Sequence, residues 1–371
     1  MGRFWTIVRN FNPLGTRRRL LQGALGGLGA GLGLAIGARS GGRAAIAQTP
    51  EPLSPRPLLK FKRLRPGDTI LLVSPAGRVA ASALAGAIAQ LKTWGFRVRL
   101  APHALDTYGY LAGRDRDRAE DLTRAFTDPT VQGILCTRGG WGCNRILPLL
   151  DYDAIAANPK PLIGYSDITA LLLALHQRTG LVGIHGPVAT SSWTDFSNQS
   201  FREVLMEGRA ARFENPPNLP LQVLRGGRAQ GPLLGGNLST LVSLIGSDYL
   251  PAWDGAILFL EEVGEDWYRV DRLLSQLALA GILGRLGGVI FAQCTRCGPA
   301  KACEGEAATD PEPSLTLNDL LETYFLPLNV PVWLGSAIGH IADKFSLSLG
   351  VPVEMDGDRG TLQLLEPATV D

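Results

Sequence analysis

Histidine is scarce in this chain: four residues among 371, His103, His176, His185 and His340. Any chemistry that needs an imidazole base has only these to choose from. Cysteine is almost as thin, with Cys136, Cys143, Cys294, Cys297 and Cys303, an odd number too sparse for a disulfide scaffold. Cys294-x-x-Cys297 with Cys303 nearby has part of a metal-site pattern, but a fourth ligand is missing and no histidine lies close in sequence. It therefore reads as loop thiols or one surface disulfide, and no metal or cofactor is expected. Charge of one sign is lacking too. The formal net charge is +2, the densest positive run lies in the first twenty residues, and no basic stripe interleaves with aromatics, which argues against a nucleic-acid partner. No internal repeat is visible, and no glycine run has the spacing of a dinucleotide fingerprint or a phosphate loop.

What is present is an ordinary globular composition, 45% hydrophobic and 19% charged, in a length that suits two domains. Residues 1–47 stand apart. Thr16-Arg17-Arg18-Arg19-Leu20-Leu21 is a basic cluster, Gly23–Gly37 is a glycine-heavy apolar stretch, and Ala45-Ile46-Ala47 is a small-x-small pattern. These are the three parts of a bacterial export signal of twin-arginine type, with cleavage expected after Ala47. The reading implies a periplasmic protein that meets the membrane only transiently, through that signal. An uncleaved anchor is the alternative, weakened by the many glycines and by an apolar core of about 15–18 residues, near the lower limit for a span. Residues 48–57 form a proline-rich spacer.

From Leu58 strands and helices alternate. Apolar strands are expected at Thr69–Val73, Phe96–Leu100, Val131–Cys136, Leu162–Gly164 and Val182–His185. Helices are expected at Ala80–Trp94, Arg114–Phe126, from Ile146 to Leu150 and at Thr169–Arg178. This is the pattern of a mostly parallel sheet covered on both faces. A first domain over 58–195, a polar, proline-punctuated linker over 196–224 and a second domain over 225–371 follow. The second domain carries the apolar strand Ala256–Leu260, further strands at Gly288–Gln293 and Val330–Leu334, and a hairpin over Pro352–Leu365.

In such sheets ligands bind beyond the carboxyl ends of the strands. Two strand ends carry chemistry here. Ile163-Gly164-Tyr165-Ser166-Asp167-Ile168-Thr169 reads as a buried strand, a sharp turn bearing a serine, and a helix start whose amides suit a developing oxyanion. Thr137-Arg138-Gly139-Gly140-Trp141-Gly142 is a glycine turn that fits the second half of an oxyanion hole. A serine nucleophile needs a base and an orienting group. His185 ends a strand and His340 follows the glycine-rich turn Gly335–Gly339; residue type alone does not choose between them. Glu261, closing Ala256–Leu260, suits the orienter. The serine turn lacks the second glycine of the nucleophile elbow, which argues against an ordinary α/β-hydrolase.

The chain resembles the LD-carboxypeptidases, the serine peptidases that include the microcin-immunity peptidases. The segments that carry the resemblance are Tyr110-Leu111-Ala112-Gly113, Arg118-Ala119-Glu120-Asp121-Leu122, Arg138-Gly139-Gly140-Trp141-Gly142, Gly164-Tyr165-Ser166-Asp167-Ile168-Thr169, Gly235-Gly236-Asn237-Leu238, Phe259-Leu260-Glu261-Glu262, Asp271-Arg272-Leu273-Leu274 and Gly339-His340. The resemblance implies a Ser166–Glu261–His340 triad, with His340 preferred over His185 as base, and an oxyanion hole from the amides of Gly140 and Asp167. It implies an α/β fold with a Rossmann-like amino-terminal domain, similar to class I glutamine amidotransferases, and a smaller barrel-like carboxy-terminal domain, commonly as a homodimer. The expected reaction is release of terminal D-alanine from a murein tetrapeptide, with Arg138, Trp141 and His185 as candidate substrate contacts. Two rival readings fit the same residues: a microcin-immunity type peptidase cleaving aminoacyl-nucleotide conjugates, for which Trp193 is the candidate stacking residue, and a non-catalytic wall-peptide binding protein.

Overall fold

The computed structural model describes residues 56–299 and 315–371. The segment read as an export signal, residues 48–55 of the spacer and Cys303 lie outside the described residues.

The first sheet has six strands. Five are parallel: Thr69–Val73, Arg97–Leu100, Gly133–Cys136, Leu162–Gly164 and Ile184–His185. Numbered along the chain, they lie side by side in the order 2-1-3-4-5. The strand order reverses between Thr69–Val73 and Gly133–Cys136, so a crevice opens beyond their carboxyl ends. The central strands Thr-Ile-Leu-Leu-Val, Gly-Ile-Leu-Cys and Leu-Ile-Gly are buried throughout, as continuous apolar runs in a sheet covered on both faces must be. The sixth strand, Leu347–Ser348, comes from near the end of the chain and pairs antiparallel with Ile184–His185.

The helix Thr169–Thr179 follows the serine turn. Eight of its residues are buried, because it lies between the first sheet and the second half of the chain: Thr169 Oγ1 accepts from the Asn237 amide at 3.0 Å. An almost uniformly apolar helix is stable only when covered on all sides.

The second sheet joins eight strands in series, Arg212–Phe213, Thr361–Leu364, Pro352–Asp356, Arg228–Asn237, Ile257–Val263, Gly288–Thr295, Val332–Leu334 and Gln222–Arg225. Arg228–Asn237 bridges its two halves. Its first five residues pair antiparallel with Pro352–Asp356, and its last five pair parallel with Ile257–Glu261. The ladder curls: Phe213 and Leu362 from one end and Ile290 and Trp333 from the other line one small internal cavity. The expected hairpin at the carboxyl end forms, with Pro352–Asp356 antiparallel to Thr361–Leu364.

The stretch read from composition as a linker is not irregular. Asp195–Phe201 is an α-helix capped by Thr194, and Arg202–Met206 continues it with a π-helical turn. Phe201, Val204 and Leu205 are fully buried, so sparse apolar residues at helical spacing outweighed the polar average. The helix expected to begin at Ile146 starts earlier, at Cys143, and passes into a 3-10 turn where Pro148 ends α-helical bonding.

Candidate active site

Ser166 sits at the carboxyl end of Leu162–Gly164 and opens the 3-10 turn Ser166–Ile168, which runs into the helix Thr169–Thr179. Its φ is 65°, a left-handed conformation that L-residues other than glycine rarely adopt. The strained turn therefore forms without the second glycine of a standard elbow; Ile168 occupies that place and packs against Gly164. The strain turns the serine side chain out of the sheet, where residues from three other segments meet it.

The first is the Gly139–Gly140 turn after the neighbouring strand. A Cβ on Gly139 would lie 2.7 Å from Ser166 Cβ and 2.9 Å from its Oγ, so only glycine fits beside the hydroxyl. The Gly139 carbonyl accepts from the Gly77 amide at 3.2 Å. A trans peptide sends the Gly140 N–H the opposite way, off Gly77. Arg138 braces this turn, donating through Nε to the Gly139 carbonyl and through a terminal nitrogen to the Arg78 carbonyl, each at 3.3 Å.

The second is His340. Its Nε2 lies 3.1 Å from Ser166 Oγ and its Nδ1 lies 2.7 Å from Glu261 Oε2. A carboxylate only accepts, so Nδ1 carries the proton and Nε2 is free to accept from the serine. Gly339 makes this approach possible: at φ 102° it stands where a Cβ would be 2.5 Å from Glu261 Oε2.

The third is Glu261, which has no solvent exposure. The register against Gly288–Thr295 shifts between Leu260 and Glu262, and successive strand residues face opposite sides, so Glu261 and Glu262 point apart. Glu262 is equally buried but has a different task. It accepts from Asn237 Nδ2, the Ser239 amide and the Val263 amide at 2.8–2.9 Å, tying its strand to the helix at Leu238–Val242, and burial raises its pKa.

The loop carrying His340 spans both sheets, from Val332–Leu334 to Leu347–Ser348. Sequence reasoning missed what holds it. Asn215 donates to the Gly335 carbonyl and accepts from the Ala337 amide, both at 2.9 Å. Ser197 Oγ donates to the Ala342 carbonyl and accepts from the Lys344 amide, and Ser200 Oγ accepts from the Ser346 amide. All three side chains lie in the stretch read as a linker, so that stretch is the clamp on the histidine loop.

Other expected site residues are placed differently. The Asp167 side chain is buried and accepts from the Cys143 amide at 2.9 Å, and burial raises its pKa; only its backbone is available at the turn. His185 is buried behind the site, edge-on to Phe259 and Tyr165, and burial pulls its pKa down to about 4. It is a neutral packing residue that does not hydrogen-bond Ser166. Trp141 and Arg138 are exposed and line a cleft of about 500 Å³ with Gly77, Arg78, Gly109, Tyr110 and Gly140. Trp193 is no stacking loop: it packs between Trp94 and Phe201, ring centroids 5.9 and 5.6 Å away. Cys294 and Cys297 form a disulfide, and Cys136 and Cys143 are free and buried.

A strained serine, an imidazole and a buried carboxylate in one hydrogen-bonded chain have the geometry that serine-hydrolase chemistry requires. Comparisons with known proteins give the family. Residues 70–186 match the LD-carboxypeptidase N-terminal domain and residues 230–355 the LD-carboxypeptidase C-terminal domain. A putative carboxypeptidase of Streptomyces coelicolor is 39% identical over 323 residues, 84% of this chain and 98% of its own length. The murein tetrapeptide carboxypeptidase of Pseudomonas aeruginosa is 36% identical over 299 residues, 78% of this chain and 94% of its own. A structure of the immunity protein MccF in complex with glutamyl sulfamoyl guanosine superposes with a TM-score of 0.74 at 27% identity, covering 84% of this chain and all of that one. The chain belongs to the LD-carboxypeptidase family, and its α/β fold has the two domains of that family.

Proposed function

We propose that this protein is a serine carboxypeptidase that releases D-alanine from murein tetrapeptides. The carrying observation is the unbroken chain Ser166 Oγ, His340 Nε2, His340 Nδ1, Glu261 Oε2. His340 takes the serine proton as Oγ attacks the carbonyl carbon on the L-centre of the diamino acid. Glu261 stabilises the imidazolium. The negative oxygen meets the Gly140 and Asp167 amides. His340 then protonates the departing D-alanine nitrogen, which leaves an ester on Ser166. Water, deprotonated by the same imidazole, hydrolyses that ester and frees the serine.

The 2-1-3-4-5 strand order supports a Rossmann-like first domain related to class I glutamine amidotransferases, and the curled ladder supports a barrel-like second domain. The first would cover 58–195 and the second 225–371. Export to the periplasm is part of the proposal. The Cys294–Cys297 disulfide supports it, since such bonds persist in oxidising compartments. We further propose a homodimer, on the resemblance alone.

The test is mass spectrometry of a murein tetrapeptide incubated with protein lacking residues 1–47. Equimolar D-alanine and tripeptide are expected. Intact tetrapeptide alongside cleavage of an aminoacyl sulfamoyl nucleoside would replace this reading with the immunity-type one. Tight peptide binding without cleavage of either would leave a binding protein.

Gly139→Ala probes the site without replacing a triad residue. The new methyl would press on the serine hydroxyl, and a misplacement of about 1 Å costs roughly 10²-fold in rate. D-alanine release should fall by about that factor while circular dichroism stays unchanged. Full activity would mean that Ser166 Oγ does not work from the observed position.

A further inference from the structure

Lys344, four residues after His340, is a cation that the triad does not use. It is 3% exposed. Its Nζ donates to the Ala342 carbonyl at 3.3 Å and forms no ion pair among the described residues. It lies 5.3 Å from the centre of the Tyr165 ring, and that ring is 4.9 Å from the His340 ring. Tyr165 is the residue before the nucleophile. The ammonium is thus one aromatic ring away from the reacting atoms, in a setting where a cation lacking a counter-ion is costly.

The charges around it do not settle that cost. Asp343 and Glu261 attract it without forming an ion pair, Glu261 is already engaged by His340, and burial favours the neutral forms of His185 and Tyr165. Burial consequently pulls the ammonium down to about 8. Arg138, the other cation near the turn, has its guanidinium on two backbone carbonyls. We propose that the Lys344 ammonium is the counter-charge for a carboxylate of the bound peptide, which makes Lys344 a specificity-determining residue. The inference rests on the carboxypeptidase reading above. Two carboxylates supply this chemistry: the terminal one of D-alanine, and the side-chain one when the diamino acid is diaminopimelate.

Four tetrapeptides separate them: C-terminal acid or amide, each with diaminopimelate or lysine at the third position. Lys344→Met should raise KM at least tenfold for peptides carrying the matching carboxylate and leave kcat within about threefold. Collapse of the acid-over-amide preference identifies the terminal carboxylate; collapse of the diaminopimelate-over-lysine preference identifies the side chain. Lys344→Arg should retain the preference. An equal loss on all four peptides, or no change on any, overturns the proposal. Binding to Ser166→Ala, read by calorimetry, gives the same answer with Lys344 in place. Affinity for the matching peptide should fall as pH rises past about 8, where the ammonium is lost, while the peptide lacking that carboxylate shows no such fall; parallel pH profiles overturn it. Silence of the wild type on all four peptides counts against the carboxypeptidase reading itself, and the binding measurement still decides on Lys344.

Discussion

Ser166→Ala should abolish D-alanine release, with kcat down by about 10⁴–10⁶-fold, the range expected when the nucleophile of a triad is removed. The circular dichroism spectrum should not change, because Ser166 Oγ is hydrogen-bonded only to His340 among the described residues. Mass spectrometry of the released amino acid reads the loss. Residual release above about 1% of wild type would place the nucleophile elsewhere. A second variant makes the prediction more than a deletion. Ser166 is held at φ 65°, which costs an L-residue roughly 1–2 kcal/mol. Alanine carries that strain as serine does; glycine does not, though it adds about 0.4–1 kcal/mol of unfolded-chain entropy. Ser166→Gly should therefore be as inactive as Ser166→Ala and about 0.5–1 kcal/mol more stable in urea unfolding. A serine kept for packing or hydrogen bonding would show the reverse order. Strain held at the proposed nucleophile is the pattern of a functional constraint written into the backbone.

The nucleophile was legible in the sequence because its signal is local. A short apolar run, a serine and a helical pattern follow one another within seven residues, and the structure places the strand at Leu162–Gly164 as expected. Glu261 was legible as an acid closing an apolar strand. Its separation from Glu262 was not, because alternation along the strand turns the two acids to opposite faces without telling which face meets His340. Choosing His340 over His185 required the resemblance, since one ends a strand and the other follows a strand and a glycine-rich turn, and residue type does not rank the two places. The structure separates them by what surrounds the rings: a carboxylate and a hydroxyl for one, Phe259 and Tyr165 for the other. The clamp on the histidine loop was invisible for a further reason. Ser197, Ser200 and Asn215 are short polar residues typical of linkers, and their partners lie 120 or more residues away. Composition records that a segment is polar, not that its polar atoms are committed.

Glu261→Gln should cost about 10⁴-fold in kcat with KM nearly unchanged, the pattern of an interaction made only in the transition state. Two arrangements are open to the amide. With its carbonyl towards His340 Nδ1 the tautomer survives, but the imidazolium that forms on proton transfer has lost the anion 2.7 Å away. With its NH₂ towards Nδ1 the ring proton moves to Nε2, which then cannot accept from Ser166. Both block the same step. The fold should tolerate the change, because Glu261 has no exposure and its Oε1 has no hydrogen-bond partner; replacing a buried charge by a neutral isostere removes a desolvation cost. Glu262→Gln is the contrast that gives the result its meaning. It sits next in sequence, is as buried, and holds three donors belonging to the frame rather than to His340. Its loss should lower unfolding stability by about 1–3 kcal/mol and leave kcat within tenfold. If the two variants behaved alike, the two faces of the strand would not divide catalytic from structural acid, and the orienting role of Glu261 would have to be given up.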